Sequence, residues 1–127
     1  MSLTALFLAL WFDGEILVNS SQSKWQHEAG DPAGSESVTL REDPQTGAYE
    51  GFVRYPAGHV FTPHWHSVNE RIVLLEGRMK VGELTLEPGG YAFFPAKHVH
   101  RLACVSDTRC ACYLSWDGKA DFHRSTQ

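Results

Sequence analysis

The sequence predicts an all-β domain, and three observations carry that reading. From Glu36 onward, short apolar runs alternate with turn residues, the pattern expected of successive strands. No helical periodicity longer than about two turns stands out along the chain. The length of 127 residues suits one domain with a single core and leaves little room for a second.

Residues 1–35 read as an N-terminal segment and residues 36–127 as the β-domain. Leu3 to Phe12 is nearly all apolar, but at about ten residues it falls well short of the about 20 that a membrane-spanning helix needs. It reads as a buried or subunit-pairing strand or helix. The alternative is a remnant of a signal sequence, although no Lys or Arg precedes it. Asp13 to Gly34 is polar and irregular, with Ser20-Ser21-Gln22-Ser23 and Gly30-Asp31-Pro32-Ala33-Gly34 as loop signals.

Candidate strands follow at Ser37–Arg41, Tyr49–Tyr55, His59–His66, Arg71–Glu76 and Arg78–Val81, then at Leu84–Glu87, Tyr91–Pro95, His100–Val105 and Arg109–Trp116. The breaks between them, such as Asp43-Pro44-Gln45-Thr46-Gly47, Pro56-Ala57-Gly58 and Pro88-Gly89-Gly90, carry residues that tolerate positive φ or bond their own backbone. About eight or nine short strands in one domain point to a closed barrel or a double-sheet jelly roll.

The formal charge of −4 and the lack of any Lys/Arg block disfavour a nucleic-acid partner. Three cysteines, Cys104, Cys110 and Cys112, cannot all pair within the chain, and no Cys-x-x-Cys is present. The preferred reading is reduced, half-buried strand cysteines, with a Cys104–Cys110 bridge across a short loop as the alternative.

The chemistry-bearing cluster is His64, His66 and Glu70. His64 and His66 are two apart on a candidate strand, so both side chains point to one face and Trp65 to the other. Glu70 opens the next strand, sharing a face with Ile72 and Leu74. If the two strands pair around Ser67-Val68-Asn69, the carboxylate returns beside the imidazoles. Two imidazoles and one carboxylate on one side of an ion are the ligands of the facial triad, which leaves positions open for substrate. A lone histidine on a strand face is ordinarily core or surface, and that is the reading for His27, His59 and His123.

The frame around the cluster is specific. Gly58, His64, His66, Glu70 and Gly77 fit G-x5-H-x-H-x3-E-x6-G at every position. This resembles the first motif of the cupins. The second, G-x5-P-x-G-x2-H-x3-N, is met at Gly89, Pro95 and His100, with Lys97 in the glycine position and Cys104 in the asparagine position. The resemblance implies a single-domain cupin jelly-roll barrel with one divalent metal per chain, held by His64, His66, Glu70 and His100. His98 competes for the fourth place, but motif spacing and the shared face of His100, Leu102 and Cys104 favour His100. By alternation, Ile72, Leu74, Met79, Val81, Phe93, Leu102 and Leu114 would line the barrel. Tyr55, Arg54, Tyr91 and Arg101 are expected on its exterior.

The segments Asp43–Gly47, Tyr113–Gly118 and Asp121-Phe122-His123 resemble a narrower group, containing diketone-cleaving dioxygenases and the cupin domains of anti-sigma factors. The ligand set suits iron, zinc, nickel, manganese or copper, since affinity alone discriminates poorly among them. The leading expectation is a non-haem metal-dependent dioxygenase acting on a small enolisable or β-dicarbonyl compound. The alternative is a non-catalytic module that senses a small molecule or an oxidant, with cysteines near a cationic metal acting as reactive thiols. The expected partners are a small-molecule ligand and a second copy of the chain in a homodimer, with neither nucleic acid nor membrane involved. A cytoplasmic location is expected, or a secreted or periplasmic one if residues 1–12 are a signal remnant.

Overall fold

The computed structural model describes residues 14–126. The apolar stretch Leu3–Phe12, read above as a pairing segment or signal remnant, lies outside the described residues. The fold is all-β: apart from one short 3-10 turn at Ser20–Gln22, every regular element among the described residues is a strand. They are β1 (Glu36–Glu42), β2 (Tyr49–Tyr55), β3 (His64–Trp65), β4 (Glu70–Glu76), β5 (Met79–Val81), β6 (Leu84–Leu86), β7 (Tyr91–Phe94), β8 (Leu102–Cys104), β9 (Cys110–Trp116) and β10 (His123–Arg124).

Five strands make one antiparallel sheet in the order β1-β2-β9-β4-β7, and three make another in the order β6-β5-β8. β10 and β3 form a small separate pair, and isolated bridges at Val60–Ala103 and His64–His100 stitch the segment before β3 to the segment around β8. Non-consecutive neighbours such as β2-β9 and β5-β8 are the crossovers of a jelly roll. Alternation follows the sequence reading in β4, where Glu70, Ile72 and Leu74 are buried. Leu86, Met79, Leu102, Cys112 and Leu114 join them in one core.

His59–His66 was expected to form one strand, yet only His64–Trp65 pairs as β3. Pro63 has no N–H to donate, and the chain before it bonds β8 only intermittently, through Phe61 N–H to the Leu102 carbonyl and Cys104 N–H to the His59 carbonyl. Phe93, expected inside, is instead exposed, and Phe94 is buried. The β4–β7 register is the reason: Phe94 sits across from Glu70 and Phe93 across from Arg71, so Phe94 shares the inner face and Arg71 covers the Phe93 ring from outside at 5.2 Å.

The cysteines also depart from the preferred reading. Cys104 and Cys110 form a disulfide, with Cα atoms 5.8 Å apart, and Cys112 remains a buried free thiol. The Ser106-Asp107-Thr108 turn carries the chain from β8 directly to β9, placing both residues on facing inner positions within bridging range.

Within residues 14–35, the stretch around Trp25 and Gln26 lies against β1 and β2 of the large sheet. Gln26 exchanges two backbone hydrogen bonds with Ser37 on β1, and the Arg54 guanidinium covers the Trp25 ring at 4.2 Å.

Candidate metal centre

The site forms where the β3 segment, the start of β4 and the segment before β8 converge. Extended backbone at β3 sends His64 and His66 inward. Trp65, pointing outward, stacks on His123 at 3.9 Å. His100 enters from the opposite segment through a pair of backbone hydrogen bonds with His64, of 3.2 and 2.9 Å. Glu70 arrives as the first residue of β4, which pairs with β7 and β9 rather than, as the sequence suggested, with the strand bearing His64, whose partner is β10. All four side chains are buried, with residue exposures of 3–7%.

The nitrogen ligand atoms of His64, His66 and His100 lie within 4.8 Å of one another, an arrangement that could hold a metal ion. The Glu70 Oε1 atom is 3.5 Å from His66 Nε2 and 3.4 Å from His100 Nε2. The outer nitrogen of each ring is already engaged by backbone. His64 Nδ1 meets the Thr62 carbonyl at 2.6 Å, His100 Nδ1 meets the His98 carbonyl at 3.2 Å, and His66 Nδ1 meets the Asp121 carbonyl. Donation by Nδ1–H selects the tautomer whose Nε2 lone pair faces the centre. The structure therefore brings together the four residues expected from the sequence.

Two buried polar atoms at this point have no hydrogen-bond partner, Glu70 Oε1 and His100 Nε2. Orphaned atoms of this kind cost about 1–3 kcal/mol each unless something satisfies them. A divalent cation between them would do so, and a set of three imidazoles and one carboxylate is an apt donor set for one. The other carboxylate oxygen, Oε2, accepts a 2.9 Å hydrogen bond from Trp116 Nε1–H, which turns Oε1 toward the imidazoles.

Electrostatics support an ionised carboxylate. Burial raises the Glu70 carboxyl, but the facing His100 and His66 rings outweigh it and hold the group at about 2. Burial lowers His66, and Glu70 together with the Asp121 carbonyl raises it by more. His64 is lowered, chiefly by burial.

Beside the ligands opens a cavity of about 610 Å³ whose wall includes Tyr55, Phe61, Met79, Leu102, Leu114 and Trp116. Its size falls in the range of small-molecule sites. Phe94 stacks on His100 at 4.1 Å and Phe122 on His64 at 4.4 Å, wedging both rings in place. Of the four polar side chains expected outside, three are there. Arg54 pairs with Glu36 at 2.8 Å, and Tyr91 and Arg101 are exposed. Tyr55 is the correction: it turns inward, lines the cavity and packs edge-on against Phe61 at 4.8 Å. Burial pushes its hydroxyl far above the ordinary tyrosine value.

His98 is exposed, and only its carbonyl reaches the site. His27 holds the Ser35 carbonyl, and His123 pairs with Asp121 at 3.1 Å on the outer face. His59 lines the cavity and stacks on Tyr55 at 5.4 Å, a place that spacing alone did not indicate. Residues that sequence reasoning missed as site-builders are Trp116, Asp121 and Phe122. Their only signal was that they fall in the segments carrying the narrower resemblance.

Comparison with known proteins agrees with this architecture. The profile of the ChrR cupin-like domain family matches residues 13–117. An RmlC-like cupin from Ralstonia eutropha superposes with a TM-score of 0.71 at 16% identity, covering 89% of this chain and 73% of that one. A putative acetylacetone dioxygenase from Methylibium petroleiphilum gives a TM-score of 0.65 at 24% identity, over 81% of this chain and 76% of that one. The DNA damage-repair/toleration protein DRT102 of Arabidopsis thaliana is 33% identical over 96 residues, 71% of this chain. The present chain spans only 29% of that protein's length. No helix among the described residues is long and apolar enough to cross a membrane. By fold, by donor cluster and by a profile match over most of its length, the chain belongs to the ChrR cupin-like domain family.

Proposed function

We propose that His64, His66, Glu70 and His100 bind one divalent metal ion. We further propose that the protein is a non-haem metal-dependent dioxygenase acting on a small enolisable or β-dicarbonyl compound. The observation that carries the first part is the convergence of orphaned Glu70 Oε1 and His100 Nε2 on one buried point, with every Nδ1 held by a carbonyl. The second part is supported by the cavity beside that point and by likeness to a putative acetylacetone dioxygenase.

When bound, a redox-active divalent metal would supply Lewis acidity toward a chelating enol and a route for oxygen chemistry. The chain's own residues supply the rest. Trp116 and the three carbonyls orient the donors, while Phe94 and Phe122 hold the rings of His100 and His64. The apolar wall shapes the carbon skeleton and excludes water. Of the three thiols invoked by the sensing alternative, Cys104 and Cys110 are joined to each other and Cys112 is buried.

The test is elemental analysis of anaerobically purified protein, followed by oxygen-uptake measurements on iron-reconstituted protein supplied with acetylacetone. One divalent ion per chain is expected, lost in His66→Ala while the circular-dichroism spectrum stays β-rich. Metal retained at one per chain in that variant would refute the ligand assignment. Tightly held zinc, with no oxygen uptake after iron reconstitution, would refute the dioxygenase reading.

A further inference from the structure

Beyond the metal ligands, the mouth of the cavity carries a cation whose position follows from strand register. In the β10-β3 pair, His123 lies across from Trp65 and Arg124 across from His64. Directly opposed residues of an antiparallel pair point to the same side, with Cβ atoms about 4.5–5.5 Å apart. Trp65 and His123 obey this on the outer face, where their rings stack at 3.9 Å. Arg124 must then share the inner face with His64, and it is exposed there while forming part of the cavity wall. Phe122, two residues earlier and on that same face, stacks on His64.

Among the described residues no carboxylate pairs with Arg124. The nearest acid in sequence, Asp121, also borders the cavity, but its carboxylate oxygens are taken up by Ser67 N–H at 2.7 Å and His123 at 3.1 Å. Glu70 is committed to the buried centre. The cavity shares Val53, Tyr55, Leu114 and Trp116 with a second cavity of about 410 Å³, whose wall includes Glu28, Asp31, Glu36 and Glu42 together with Lys119. Among the described residues lining the ligand-side cavity, Arg124 is the one lysine or arginine, so an anionic group entering at the mouth would meet its guanidinium.

We propose that Arg124 binds a carboxylate on the substrate, so that the site selects an anionic β-dicarbonyl or enol over a neutral one. This rests on the metal-site reading above. The dicarbonyl end would meet the metal, the carbon skeleton would lie against Phe61 and Phe122, and the carboxylate would meet the guanidinium. A guanidinium suits this task because its fixed fork of N–H donors matches the two carboxylate oxygens.

The test uses two probes that share one chelating unit, neutral acetylacetone and carboxylate-bearing acetylpyruvate. Each is titrated by calorimetry under nitrogen into full-length protein loaded with one iron(II) per chain. Acetylpyruvate is expected to bind wild type more tightly. Arg124→Gln should weaken acetylpyruvate about tenfold and leave acetylacetone within about twofold, the difference expected for loss of one charge-assisted contact at a partly exposed site. Arg124→Lys should recover part of that loss. Iron content per chain, measured on each variant, reports that the centre is intact. Equal weakening of both probes by Arg124→Gln, or of neither, overturns the carboxylate assignment while leaving the metal-site reading standing. Wild-type protein that holds iron but binds neither probe overturns the proposed substrate class and this inference together.

Discussion

Lys97 shows how far a single residue can depart from a motif without losing its geometry. It occupies a glycine position of the second cupin motif, and it adopts φ of 69°, the one positive φ at a non-glycine among the described residues. The turn is thus kept, and its N–H still donates 2.7 Å to the His66 carbonyl, tying the ligand strand to the loop that leads to His100. The left-handed conformation costs a residue with a Cβ about 1–2 kcal/mol. Lys97→Gly is therefore expected to raise stability by about 1 kcal/mol, measured by urea denaturation of metal-free protein, with metal stoichiometry unchanged. A loss of stability would show that the lysine side chain contributes more than its backbone costs. Gly77 is the opposite case. At φ of 85° a Cβ there would lie 2.6 Å from the Arg109 carbonyl oxygen, so the motif glycine is required by backbone proximity as well as by φ.

At the scale of elements, β9 does most to join core and site. It lies between β2 and β4 in the large sheet and carries Cys112 and Leu114 into the core. Its last residue, Trp116, is in register with Glu70 on β4, which is why the indole N–H can reach Oε2. Trp116→Phe keeps an aromatic ring against Tyr49 but removes that donor. Metal affinity is expected to fall about 10–100-fold, the usual effect of losing an outer partner of a ligand. Competition against a chelating dye measures it, and unchanged affinity would reduce Trp116 to a packing role. The strand β4 was legible from alternation because it buries one clear row of side chains, whereas β9, which buries residues of both faces, was legible as an apolar run bounded by turn residues. β10 was not, and β3 was read only as part of a longer strand, because the two pair over just two residues and join segments about 60 apart in sequence.

For the whole molecule, the Cys104–Cys110 bridge is the covalent link between the two sheets, since β8 belongs to the three-stranded one and β9 to the five-stranded one. It thereby couples the segment bearing His100 to the sheet bearing Glu70. The loop it closes is short, with a sequence separation of 6, so chain entropy assigns it only about 2 kcal/mol. The double variant Cys104→Ser/Cys110→Ser is expected to lose about that much in denaturant midpoint analysis while keeping its β spectrum. A loss of folding altogether would mean that the two sheets do not hold together by packing alone.

Much of the site was present in the primary structure because its spacing is local. His64 and His66 are two apart on an extended strand, so periodicity places both on one face, and Glu70 follows one connector later. The all-β class followed in the same way, from short alternating runs and their turns. Motif spacing already favoured His100 over His98, whereas only the tertiary structure decided that Phe94 rather than Phe93 turns inward, that Tyr55 faces the cavity, and that Cys104 meets Cys110. It also decided that the carbonyl of Asp121 and the indole of Trp116 hold the ligands, and that Arg124 stands across from His64. Each of these depends on which distant strands become neighbours and in what register, and a register shift of one residue reverses every side chain. Periodicity determines the two faces of a strand, and pairing determines which of them meets the metal.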